Sequence, residues 1–102
     1  MNYPFDFYTA QSEQQQAPVT LASAATLVPV SFLTMVSGTV QVANITPPNA
    51  GGVCMICLIF TNANPGAFLN TGNIQATKDP AQNEAVLLVW NPLTEKWYTV
   101  NP

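Results

Sequence analysis

Ala85-Val86-Leu87-Leu88-Val89-Trp90-Asn91-Pro92-Leu93-Thr94-Glu95-Lys96-Trp97-Tyr98-Thr99-Val100 decides the fold. An apolar run rich in β-branched and aromatic residues breaks at an Asn-Pro turn signal. A second run, alternating in character, follows at once. This pattern predicts a β-hairpin, with strands over Ala85 to Trp90 and Lys96 to Val100 joined by the loop 91–95. In the second strand, neighbouring side chains point to opposite faces, so Trp97 and Tyr98 are expected on different sides of the sheet. Trp90 and Trp97 are expected in the core. Tyr98 is a candidate interface residue, since tyrosine buries much area with few rotatable bonds.

The same punctuation recurs upstream. Val53 to Phe60 is apolar throughout and reads as a buried strand, being far shorter than the roughly 20 residues a membrane-spanning helix needs. Asn49-Ala50-Gly51-Gly52 supplies a turn before it, and Pro47-Pro48 ends the strand expected over Thr39 to Thr46, because proline donates nothing to a ladder. Within that strand the apolar phase shifts at Ile45, which predicts a bulge near Asn44. Val30 to Val36 is apolar on both faces and suits a buried or interface strand. Thr61 to Ala67 and Thr77 to Asn83 read as loops, Pro65-Gly66 fitting the middle of a type II turn. A short strand is expected around Ile74 and Ala76. Val19 to Ala25 reads either as a turn of helix cut short by Pro29 or as a first edge strand. The expected fold is all-β with six to eight strands, a small β-sandwich or jelly-roll-like barrel over residues 19–102.

Residues 1–18 differ in character. Tyr3, Phe5, Phe7 and Tyr8 precede the polar run Gln11-Ser12-Glu13-Gln14-Gln15-Gln16, and aromatics this dense need a surface to bury against. We read an extended N-terminal arm that binds a partner, with docking on another subunit, folding back on its own domain and a mobile tail left open.

Composition removes most chemistry. Only 7% of the 102 residues are charged, against about 25% in ordinary soluble proteins. The net charge is −3, and there is no histidine. Lys78 and Lys96 are the only basic residues, too few for the clustered phosphate contacts of nucleic-acid binding. Without histidine, the chain lacks the usual proton shuttle and the commonest transition-metal ligand. A surface with so little repulsion between copies favours burial in an assembly. No signal peptide or membrane segment is expected from Met1 onward.

Cys54 and Cys57 have the spacing of a thiol or zinc pair, but four zinc ligands cannot be completed from these two alone. In an extended strand their Cα atoms lie about 10 Å apart, beyond disulfide range. We expect both to pack as small apolar groups of the core. Asp79, Glu84 and Glu95 are expected to be solvated loop charges, not a catalytic pair or a calcium site. No catalytic residue, metal or cofactor is expected.

Taken in order, Gly38-Thr39, Ile45-Thr46-Pro47-Pro48, Gly72-Asn73-Ile74, Val86-Leu87-Leu88-Val89-Trp90 and Lys96-Trp97-Tyr98 resemble a pattern of small β-rich virion proteins of tailed phages. The resemblance covers about residues 36–100. It implies a capsid decoration or cement protein, a non-enzymatic homo-oligomer, trimer favoured, bound to the major capsid protein on the capsid exterior after synthesis in the host cytoplasm. Related patterns in phage fibre domains imply the alternative of a receptor-binding or fibre module, contacting a host surface through the loops 61–72 and 77–83. Phe68 is the aromatic of the first loop and a second candidate interface residue.

Overall fold

The computed structural model describes residues 18–75 and 78–100. They form an all-β fold of seven strands. In chain order these are β1 (Val19–Ala22), β2 (Thr26–Leu27), β3 (Leu33–Ser37), β4 (Asn44–Ile45), β5 (Cys54–Phe60), β6 (Ala85–Asn91) and β7 (Lys96–Thr99). Five of them make one sheet in the order β1-β3-β5-β6-β7, and β2 pairs with β4 in a small second sheet.

The sheet is built in two styles. β1, β3 and β5 run parallel, with Val19 opposite Thr34 and Leu33 opposite Cys57. β5, β6 and β7 then run antiparallel, with Cys57 opposite Leu87 and Trp90 opposite Trp97. Parallel neighbours require a crossover, commonly supplied by a helix. Here each crossover instead contributes one strand of the second sheet, so β2 and β4 are themselves parallel. The chain therefore alternates between two layers, consistent with a small sandwich. A jelly-roll-like barrel is not formed, since β1 and β7 are open ends of the sheet order and a jelly roll needs antiparallel pairing throughout.

Alternation along the strands defines the core. Val36, Cys54, Ile56, Leu58, Phe60, Val86, Leu88, Trp90 and Trp97 project from the inner face of the large sheet; Leu27, Val42, Ile45, Phe68 and Ile74 meet them from the second layer and its loops. Every one of these is at most 4% exposed. Thr34 is buried among them, its hydroxyl satisfied by donating to the Ser31 carbonyl at 3.1 Å.

Some boundaries differ from the sequence reading. Only Asn44–Ile45 of the stretch expected as a strand over 39–46 forms ladder pairs. Gly38 diverts the chain at the end of β3: its φ of 91° is a left-handed conformation open to glycine, and a Cβ there would lie 2.7 Å from the Ser23 hydroxyl oxygen. That hydroxyl accepts from Val40 N at 2.9 Å, so the turn is tied to the β1 end instead of continuing as strand. Val19–Ala22 is an edge strand, not a helical turn. Ile74 makes a single bridge to Trp97 in place of a strand; Ala76 and Thr77 lie outside the described residues.

The Gly72-Asn73-Ile74 and Lys96-Trp97-Tyr98 segments form a clasp. Ile45 turns one side of its backbone away from β2. The Asn73 side chain meets that side as a strand would, its Oδ1 accepting from Ile45 N at 2.9 Å and its Nδ2 donating to Ile45 O at 2.8 Å. Trp97 Nε1 donates to the same carbonyl at 2.8 Å. Trp97 N donates to Asn73 O, Gln75 N donates to Trp97 O, and Lys96 Nζ donates to Gly72 O. A Cβ at Gly72 would collide with Asn44 Oδ1 and the Ala43 carbonyl, so only glycine lets the loop come this close.

Candidate interaction face

The centre of the outer face of the five-stranded sheet is apolar, as the inner face is, with Ser37, Asn91 and Lys96 at its margins. Strand register groups its central side chains into three rows. Leu33, Cys57 and Leu87 lie opposite one another across β3, β5 and β6. Thr20, Met35, Ile59 and Ala85 make the second row, from β1 to β6. Met55, Val89 and Tyr98 make the third, from β5 to β7. No charged residue occurs in any row.

Sequence explains why both faces are apolar. A strand with one wet face alternates apolar with polar, whereas Cys54–Phe60 and Val86 to Trp90 are unbroken apolar runs of the kind found where both faces are covered. In β5 the inward residues are buried, while Met55, Cys57 and Ile59 are half-buried. β6 repeats this with Leu87 and Val89. Among the described residues, then, no second layer closes over the outer face. Contiguous apolar surface of this kind on a sheet marks an interaction site. Burial raises the pKa of the Cys57 thiol, which keeps the group neutral in the centre of the face.

The expected site residues are spread across the molecule. Trp90 and Trp97 stand side by side in the core, ring centroids 5.5 Å apart and tilted by 55°, and Trp90 Nε1 donates to Ala50 O at 3.0 Å. Cys54 is buried, its Sγ 3.1 Å from Asn49 O. Cys57, expected in the core beside it, faces outward, because residues three apart on a strand take opposite sides. Tyr98 is on the outer face, its hydroxyl sharing a hydrogen bond with Thr94 Oγ1 at 3.0 Å. Phe68, expected at an interface, is 0% exposed and packs edge-on against Phe60 with centroids 5.5 Å apart. Its loop folds inward because Leu69 N donates to Val42 O and Phe68 N to Lys78 O. Tyr3, Phe5, Phe7 and Tyr8, with the whole arm 1–17, lie outside the described residues.

The ionisable groups do not converge. Among the described residues no three of His, Cys, Asp and Glu are grouped so as to hold a metal. Glu84 accepts from Ala81 N at 2.9 Å and pairs with Lys78 Nζ at 2.9 Å, and these contacts, the backbone one foremost, lower its pKa. The sequence reading placed function in the arm, the loops and Tyr98 and took Val30 to Val36 as a buried or interface strand, without singling out the outer-face residues Leu33, Met35, Met55, Ile59, Leu87 and Val89 as one surface. The signal that identifies them is the lack of a polar phase in consecutive strands. Comparison of the chain with family models, with curated proteins and with solved structures returns no match.

Proposed function

We propose that this chain is a structural, non-enzymatic protein of a phage particle, most specifically a head decoration or cement protein that stabilises the capsid lattice by bridging subunits. The observation that carries the assembly role is the outer sheet face, three uncharged rows across the strands with no described layer over them. Covering half-buried Met, Leu, Ile and Val side chains yields about 25 cal/mol per Å² of apolar area removed from water, the usual driving force of stable association. The low charge content works in the same direction, since little repulsion opposes close packing of copies. The phage setting, the capsid as partner and the preference for a trimer come from the ordered sequence signature.

A receptor-binding or fibre module is the alternative reading. It asks the loop 61–72 to present a recognition surface, and burial of Phe68 takes away that loop's aromatic side chain. Sugar sites depend on such side chains for stacking. Cryo-electron microscopy of intact particles separates the two. Many copies distributed over the capsid faces are expected; a few copies confined to a tail or fibre tip would overturn the decoration reading. A Val89→Lys variant, changed on the outer face only, is expected to remain folded by near-ultraviolet circular dichroism and to lose most of its occupancy on the particle.

A further inference from the structure

We propose that the free edge of the small second sheet, residues 26–30, is a self-pairing site: it adds, antiparallel and about a two-fold axis at Val28, to the same edge of a second copy of this chain. The pairing stands on described residues and is independent of the decoration role proposed above, which supplies only a setting in which copies lie side by side.

β2 uses one of its two sides to bond β4. The Ala25 carbonyl accepts from Ala43 N and Asn44 N, and the Leu27 carbonyl accepts from Thr46 N at 2.9 Å. Backbone groups alternate in direction along a strand, so those of Thr26, Val28 and Val30 point away from β4. The extended course continues past β2. Leu27 and Pro29 are buried, whereas Thr26, Val28 and Val30 are exposed, Val28 by 54% and Val30 by 64%, and a residue before proline favours extended backbone. Among the described residues no donor or acceptor bonds these three on their outward side. Pro29 does not interrupt the edge. Its place in the alternation directs its missing N–H toward the β4 side, so the open side keeps every donor.

An edge of this kind is ordinarily blunted by a charged side chain, by a proline on the open side or by a covering loop. No charged residue occurs between Glu13 and Lys78. The far end of the large sheet, by contrast, is taken at Trp97 by Asn73 O and Gln75 N.

Self-complementarity selects a second copy as the occupant. With Val28 on a two-fold axis, Val28 faces its own counterpart, and Thr26 faces Val30 on both sides of the axis. These are β-branched cross-strand pairs, which pack favourably. They carry no charge to repel across the axis, and the pairing closes about six hydrogen bonds. Ala24 and Ala25, at the end that meets the other copy's residues 31 and 32, are small. A contact between two such short segments buries well below the roughly 1,200 Å² of a stable dimer. It is therefore weak in dilute solution and forms where copies are concentrated. Being isologous, it makes pairs and cannot by itself close a trimer; on a particle it would join neighbouring oligomers.

Cysteine trapping tests the register. In a Cys57→Ser background, with Cys54 buried, Val28→Cys places two thiols across the axis with Cα atoms about 5.5 Å apart, within disulfide range. Under mild oxidation the full-length chain is expected to form a linked dimer about tenfold or more faster than one carrying Val40→Cys, a valine of similar exposure at 51%. A mixture of Thr26→Cys and Val30→Cys chains is expected to link faster than either alone, since like positions then lie about 14 Å apart. Equal rates at 28 and 40, or no advantage of the mixture, would overturn the proposal. A second measurement follows the amide resonances of Thr26 and Val30, which are expected to shift in the native chain as its concentration rises toward roughly millimolar. Val28→Lys, which sets like charges on the axis, is expected to abolish the shift, and mixing it with Val28→Glu chains to restore it. Resonances that ignore concentration in the native chain, or a shift that survives Val28→Lys, would reject the pairing. Neither measurement involves a particle, so failure here leaves the decoration role standing, and loss of that role leaves the pairing intact.

Discussion

Asn73 illustrates how one side chain stands in for a strand. β4 is two residues long, and on the side of Ile45 away from β2 the N–H is satisfied by the Asn73 amide oxygen, while the carbonyl accepts from both Asn73 Nδ2 and Trp97 Nε1. Asn73→Ala strands the Ile45 N–H beside a fully buried Ile45 side chain. Stability should fall by about 1–3 kcal/mol, the usual cost of an unsatisfied buried group, measured by urea unfolding; an unchanged midpoint would show that water replaces the amide. Glu84 provides a test of charge. Its lowered pKa means that the folded state holds the carboxylate more firmly than the unfolded chain does. Its contribution is therefore present above the ordinary glutamate range and lost as the pH falls through the lowered folded value. A Glu84→Gln variant should be slightly less stable than the parent at neutral pH, and the gap should close in thermal melts taken at acidic pH. A gap independent of pH would contradict this sign.

At the scale of elements, the C-terminal hairpin was the most legible part of the chain. The Asn91-Pro92 break and the Lys96-Trp97-Tyr98 alternation place both strands within a residue of where they lie. Glu95 closes the turn with φ of 56°, a conformation that costs a residue with a side chain about 1 kcal/mol. Replacing it with glycine should raise stability by up to about 0.5 kcal/mol, net of the extra chain entropy, seen as a small rise in Tm; a fall would mean that the Glu95 side chain has a role in the folded state. β4 was less legible. Thr39 to Ala43 has the composition of a strand, yet Gly38 and the Ser23 hydroxyl turn it aside, and that constraint comes from a residue far away in sequence. Phe68 was misread for a related reason: an aromatic in a loop looks available until the loop's backbone is found bonded to Val42 and Lys78.

At the scale of the whole molecule, connectivity makes the fold non-local. β1, β3 and β5 can pair only after the chain has crossed to the second layer and back. Such topologies fold slowly because loop-closure entropy is spent before the contacts form. Refolding followed by Trp90 and Trp97 fluorescence should therefore relax in about milliseconds to seconds; a relaxation faster than about 100 μs would show that the hairpin alone accounts for the signal.

The amino-acid sequence alone determined the β class, the turn positions and the core tryptophans, because these follow from local periodicity and from what Gly, Pro and Asn permit. Only the tertiary structure decided that the first strands pair in parallel, that Phe68 is enclosed, and that the second apolar face of the sheet is left without a described layer. Those outcomes depend on which distant segments meet. Unbroken apolar strands state that both faces seek cover, and packing selects which one the described fold supplies.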